Sequence, residues 1–188
     1  KTIVVKAPGN SPANTIGSQS LTIEEQFRFP GTNFDPARLA MAYPGVAGNN
    51  DGTNVVSVRG NSPNALQWRL EGVEIVNPNH TANAGTFGDR ATAAGGGVNI
   101  LSAQLLGTSS LHMGAFPAQY GNALGGVMDM YLRPGNDQHH ELIAQAGFIG
   151  IEAAVEGPIS VGSRQSAVGS RAQPSFLANY RYSFTGLL

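Results

Sequence analysis

The sequence predicts a β- and loop-rich chain of short strands and short helices that ends in longer amphipathic strands. Three observations predict it. Charged residues make up only 12% of the 188 residues, while 41% are apolar; that is about half the charge of an ordinary globular domain, with too much apolar surface for charge-driven disorder. Glycine (25) and proline (11) punctuate the chain at short intervals, which leaves little room for long helices. Apolar residues also recur with period 2 at 66–71 and at 176–185, the spacing that places them on one side of a strand.

The elements follow in order. Thr2–Val5 is a short β-like run, followed by a turn-rich stretch from Ala7 to Asn14. Ser20–Phe27 reads as a short strand or helix, because Thr22 with Glu25 three residues later is a capping-box pair. Asp35 is a helix N-cap, and Pro36 takes the first helical position, where its missing N–H costs nothing. Good helix formers run on to Tyr43, and Pro44-Gly45 stops them. Beyond the Gly/Asn-rich stretch 45–54, Val55–Arg59 is a strand halted by Gly60-Asn61. In the next strand Leu66, Trp68 and Leu70 alternate with Gln67, Arg69 and Glu71; Gly72 marks a turn or bulge before Val73–Val76. Residues 77–97 have few apolar anchors and form a loop of the length that is usually functional or mobile. Val98–Leu106 reads as a short helix with Val98, Leu101 and Leu105 on one face. Residues 108–113 are a brief strand, and the glycine loop Gly121–Gly126 leads into the strand Val127–Leu132.

From Glu141 to Glu156 the sequence reads as one long β-like run, with Ile143, Gly147, Ile149, Ile151, Ala153 and Val155 on one parity. A polar turn occupies 157–174. Phe176, Ala178, Tyr180, Tyr182 and Phe184 then alternate with Leu177, Asn179, Arg181, Ser183 and Thr185. This alternation fits an outer-membrane β-strand and also an amphipathic sandwich strand; two strands taken alone favour the sandwich.

Several functions are excluded. The formal net charge is −1, and two lysines (Lys1, Lys6) beside nine arginines give no basic footprint for nucleic acid. Without cysteine there is no disulfide framework or thiolate chemistry. No G-x-S-x-G elbow, phosphate loop or H-E-x-x-H pair is present, so no enzyme is expected. The neighbours His139 and His140 point to opposite sides of an extended backbone, so neither a metal nor a cofactor is expected. No window approaches 18 consecutive apolar residues, the length of a membrane-crossing helix. The best binding chemistry lies in the loops. Asn49, Asn50, Asn61, Asn64, Asn79 and His80 offer paired donors and acceptors with little charge, as polar ligands such as carbohydrates require; asparagine is equally a turn residue.

Four motifs in order carry a family resemblance. Pro36-Ala-Arg-Leu-Ala-Met-Ala-Tyr-Pro-Gly-Val46 resembles the opening helix and "PGV" of the plug in TonB-dependent outer-membrane receptors. Val56-Ser-Val-Arg-Gly60 is similar to their "I-x-I-R-G", Leu70-Glu-Gly-Val-Glu-Ile75 to "L-D-G-V-P-V", and Tyr120-Gly-Asn-Ala-Leu-Gly-Gly-Val-Met-Asp-Met130 to the closing "Y-G-x-x-A-x-G-G-V-I-N-I". The wording of Arg59–Pro63 and Gly114–Asn122 looks most like receptors of the Bacteroidota. The resemblance implies an α+β plug domain over 1–136, a small mixed β-sheet with short helices, and the first two strands of a transmembrane antiparallel β-barrel over 137–188. The plug motif then comprises Gly60, Glu71, Gly72, Tyr120, Gly121, Gly125 and Gly126, and Arg59 is the plug–barrel lock. The family's second plug arginine falls on Met113, so any lock is partial or rebuilt through Arg69 or Arg90. The usual "I-E-R-I-E-V" acids are replaced by Gly107–Leu111.

The resemblance also implies gated, energy-coupled nutrient uptake at the bacterial outer membrane. The implied partners are the remainder of its own β-barrel, TonB-ExbB-ExbD on the periplasmic side, and a surface lipoprotein or other outer-membrane subunits. Since barrel strands leave no open edges in lipid, the sequence is expected to be part of a longer polypeptide, with the TonB-contacting box upstream of Lys1. Two alternatives stand. One is a non-transporting plug in a secretion-type complex. The other is a soluble binding domain in which 139–188 completes a sandwich.

Overall fold

In a computed structural model, residues 17–29, 31–32, 34–48, 53–79, 99–147, 150–159 and 174–183 are described. The expected strand Thr2–Val5, the turns at 7–14, Asn49, Asn50, His80, Arg90 and Val98 lie outside them. The elements run β1 (Ser18–Leu21), α1 (Ile23–Arg28), α2 (Pro36–Met41), β2 (Val46–Gly48), β3 (Val56–Val58), β4 (Leu66–Leu70), β5 (Val73–Ile75), β6 (Ser109–His112), β7 (Gly126–Met130), β8 (Glu141–Gly147), β9 (Gly150–Pro158) and β10 (Ser175–Ser183).

Both helices start where their caps predict. The Thr22 hydroxyl accepts from the Glu25 N–H at 3.3 Å, and the Glu25 carboxylate accepts from the Thr22 N–H at 2.9 Å, which closes the capping box. Asp35 caps α2 through the Ala37 N–H at 2.9 Å. Six-residue helices do not hold themselves in water; α2 persists because Ala37, Leu39 and Ala40 are buried in the core.

A five-stranded mixed sheet, in the order β1-β6-β7-β4-β5, is built from strands between residues 18 and 130. Only β4 and β7 run parallel, with Trp68 opposite Met128 and Arg69 opposite Asp129. Period 2 divides the sheet into two faces. Leu66, Trp68, Leu111, Met128 and Met130 pack against α2 and against Val56 and Val58 of the small β2–β3 hairpin. The opposite face presents Gln67, Arg69, Ser110, His112 and Asp129. Glu71-Gly72 is the two-residue turn joining β4 to β5, with φ of 51° and 77°. Positive φ at both positions is the hairpin turn whose twist matches the strands. Glu71 tolerates it because its N–H donates to the Met130 carbonyl at 2.9 Å and its carboxylate accepts from the Leu132 N–H at 2.5 Å.

The second half corrects two expectations. Residues 141–156 are not one strand but β8 and β9, paired antiparallel from Glu141 opposite Glu156 to Gly147 opposite Gly150. With β10 they form a three-stranded sheet, β10-β9-β8, where two strands were expected. The antiparallel register resets the parity, so Ile143 faces the same side as Ala154, while Leu142, Ala144 and Ala146 stand beside Val155, Ala153 and Ile151. The expected helix over 98–106 is a single 3-10 turn, Ala103–Leu105. Asn99 and Ser102 side chains bond the Leu101 and Gln104 N–H groups, and such local bonds compete with a helix.

Candidate functional site

The three-stranded sheet is amphipathic with its apolar side outward. On β10, exposed Phe176, Ala178, Tyr180 and Tyr182 alternate with half-buried Leu177, Asn179 and Arg181. Leu142 is 75% exposed and Tyr180 67%, and no described residue covers that face. A depression of about 350 Å³ there is lined mainly by Ala144, Ala146, Ile151, Ala153 and Tyr180. It lacks the converging polar groups that orient a polar ligand. The functional geometry lies on the sheet's other side.

There, side chains of β9 and β10 meet residues 99–136 along a polar seam. Arg133 donates from both terminal nitrogens to Glu156, at 2.7 and 2.8 Å, and from Nε to the Gln104 carbonyl at 2.7 Å. The Asn136 N–H adds a bond to Glu156 at 2.8 Å. The Glu156 side chain is 3% exposed, so this bidentate pair works where water screens little. One strand turn away, Glu152 accepts from the Ser102 hydroxyl and from Asn179 Nδ2, the latter at 2.8 Å. Arg181 completes the seam by donating to the Asn99 carbonyl at 3.1 Å.

Two further polar clusters lie behind the seam. Asp35, Asn54 and Asn79, all buried, are joined by hydrogen bonds from Asn54 Nδ2 to Asp35 at 2.5 Å and to Asn79 Oδ1 at 3.1 Å. Burial pushes the Asp35 carboxyl pKa up, and the Ala37 N–H, Asn54, Arg38 and Arg181 partly offset this. On the polar face of the mixed sheet, buried Asp129 accepts from the Tyr120 and Tyr131 hydroxyls at 2.7 and 2.8 Å. Burial and then that bond push Tyr131 up to about 12. The His112 ring lies 4.8 Å from that of Tyr120. Burial lowers the His112 pKa, against the pull of Asp129.

No protein-family model matches the chain, and no curated protein does either. Solved structures do. The siderophore receptor PirA from Acinetobacter baumannii superposes with a TM-score of 0.56 at 18% identity, over 89% of this chain and 25% of its own. A mutant of the ferric enterobactin receptor PfeA from Pseudomonas aeruginosa gives 0.51 at 18% identity, over 77% and 22%. The outer membrane transporter YddB from Escherichia coli gives 0.50 at 18% identity, over 74% and 23%. The chain has the plug-region fold of TonB-dependent receptors. At these identities the likeness is one of fold, and the chain spans about a quarter of the length of the receptors it matches.

The residues expected to form the plug motif lie in turns and close contacts. Arg59 and Gly60 form the turn after β3, with φ of 51° and 76°. The Arg59 guanidinium lies against Gly114, where an added Cβ would come within 2.9 Å of it. Among the described residues Arg59 makes no ion pair, and the seam's ion pair is that of Arg133 with Glu156. Arg69, the suggested substitute, sits 5.4 Å over the Tyr120 ring and donates to the Gly72 carbonyl. Gly121 contributes its carbonyl to Gln67. Gly125 and Gly126 let the loop press on Ala65, Leu66 and Val58 at 3.0–3.1 Å from where a Cβ would stand.

Of the loop asparagines, Asn61 is an exposed turn residue whose amide donates to the Val58 carbonyl at 3.0 Å, and Asn64 is exposed in a 3-10 turn. Asn79 corrects the reading: it is fully buried and bonded to Asn54 and Asn77, so it faces inward and not a ligand. Sequence reasoning missed Glu152, Glu156 and Arg133 as a group. A signal was present, because Glu152 and Glu156 share one parity while the other parity carries no charge from Ile143 to Val155.

Proposed function

We propose that this chain is the plug, with adjoining wall strands, of a TonB-dependent outer-membrane transporter, and that it gates energy-coupled uptake of a nutrient. The observation that carries the reading is the inverted three-stranded sheet. Its apolar face is turned outward and its charged face is bonded onto a plug-fold domain, as lipid on one side and a polar lumen on the other require. A soluble sandwich would bury that apolar face instead. The unpaired edges of β8 and β10 are where further strands of the same barrel join, since an open edge is not tolerated in lipid. TonB-ExbB-ExbD supplies the energised pull from the periplasmic side, and the protein resides in the outer membrane. The exposed amides Asn61 and Asn64, with Asn49, Asn50 and His80, are the proposed ligand contacts and favour a polar nutrient.

The test uses the full-length polypeptide in planar bilayers. The intact protein is expected to be closed, and in-frame removal of residues 17–132 to leave a persistent conductance. A full-length protein that is soluble, or whose conductance ignores the deletion, overturns the reading. A protein that stays closed within a stable complex, and whose loss leaves TonB-dependent growth unaffected, is a pore-closing subunit instead.

A further inference from the structure

We propose that Asp35 is a positioning residue: through Asn54 and Asn79 it fixes, as one unit, the described ends of both Gly/Asn-rich stretches and ties them to the three-stranded sheet. Helix capping alone does not account for it. A cap needs one oxygen, and Asp35 Oδ1 takes the Ala37 N–H at 2.9 Å. Oδ2 is aimed elsewhere, at Asn54 Nδ2, 2.5 Å away.

Ionised, the Asp35 carboxylate only accepts, so it dictates the orientation of the amide that it meets. Asn54 must turn its nitrogen to Asp35, and the second hydrogen of that nitrogen goes to Asn79 Oδ1 at 3.1 Å. Asn79 is thereby held oxygen-first toward Asn54, while its own Nδ2 and backbone N–H donate to Asn77 Oδ1 at 3.1 and 2.9 Å. Asp35 is 3% exposed, and Asn54 and Asn79 are fully buried, so water does not compete and each bond is costly to lose.

The chain of bonds continues. Next to Asn79, the Ile100 N–H donates to the Pro78 carbonyl at 2.9 Å, joining the two ends of segment 80–98. Buried Asn99 bonds the Leu101 N–H at 2.8 Å, and its carbonyl takes Arg181 from β10 at 3.1 Å. Asn54 follows one Gly/Asn-rich stretch, Asn79 and Asn99 bracket the other, and Arg181 belongs to the sheet outside both. The functional meaning, that a ligand at one stretch alters the other and the seam, rests on the reading above; the physical coupling does not.

Hydrogen exchange on the full-length protein tests the coupling. Asp35→Thr keeps a capping oxygen but lacks the one that meets Asn54. It is expected to leave the α2 amide of Leu39 protected and to speed exchange at Ile100 by about tenfold, the effect of losing one buried hydrogen bond. Asn54→Ala, which does not touch the cap, is expected to do the same. The proposal is overturned if either single variant keeps β7 protected and exchanges at Ile100 as the parent does. Neither readout depends on whether the protein transports.

Discussion

Arg133 and Glu156 decide how firmly the two halves of the molecule are joined. Replacing Arg133 by Met leaves a carboxylate that is 3% exposed with only the Asn136 N–H as a described partner. Breaking one side of such a pair costs about 3–5 kcal/mol, which unfolding of the intact protein by heat or denaturant would record. Arg133→Met/Glu156→Leu is expected to recover most of that loss, because the desolvated charge goes with its partner. His112 gives a second prediction at this scale. Its pKa is lowered from 6.5 in the folded state by burial, and the charged and titratable groups around it are Asp129, Tyr120 and Arg69. The unfolded chain therefore takes up the proton first, so stability is full above 6.5 and falls as the pH drops through the folded value. His112→Phe, which keeps the ring contact with Tyr120, is expected to flatten the fall below about pH 6.5 relative to the parent. Both sites were only partly legible in the sequence. Tyr120 was marked by its motif, but Asn79 was read as outward because a loop asparagine has the same neighbours in sequence whether it meets solvent or a buried carboxylate.

Elements were legible where a local chemical signal ends them. Thr22 with Glu25, Asp35 with Pro36, and Glu71-Gly72 fix a helix start, a second helix start and a hairpin, each through bonds between residues close in sequence. The run 141–156 reads as one strand because its middle carries none of the Asn-Gly or Asp-Gly chemistry of a tight turn. The flanking glycines, Gly147 and Gly150, were the remaining clue, and their pairing in the structure shows where the strand folds back. The glycine loop before β7 yields a matched prediction. A Cβ at Gly126 would stand 3.1 Å from Leu66 Cδ1 and Val58 Cγ2 and 3.2 Å from the His112 carbonyl, whereas at Gly121 nothing lies within 4 Å. Gly126→Ala is expected to cost about 1–3 kcal/mol through overpacking, and Gly121→Ala less than about 0.5 kcal/mol. Equal effects in denaturant titration would mean that the loop does not press on β3 and β4 as described.

At the scale of the whole molecule, the scarcity of charge has two physical sources. In the mixed domain, buried carboxylates are bonded by amides and hydroxyls and not by ion pairs, as at Asp35 Oδ2 and Asp129 Oδ2. In the three-stranded sheet, one parity is free of charge because that whole face is apolar and uncovered among the described residues. Composition alone does not separate these causes; the register does, since it shows which parity of each strand lines up with which. The sheet therefore supports a prediction whose sign depends on its surroundings. Ala144 and Gln145 are neighbours on β8, Ala144 on the outward apolar face beside Ala153 and Gln145 on the seam side beside Glu152. If the outward face meets lipid, Ala144→Arg costs up to about 2–4 kcal/mol according to its depth, and Gln145→Arg is tolerated toward the lumen. If that face meets water, Ala144→Arg is harmless and improves solubility. Full-length variants, followed by the yield of folded, heat-modifiable protein in the outer-membrane fraction, distinguish the two. The lipid assignment requires Ala144→Arg to lower that yield well below Gln145→Arg, and equal yields would remove it.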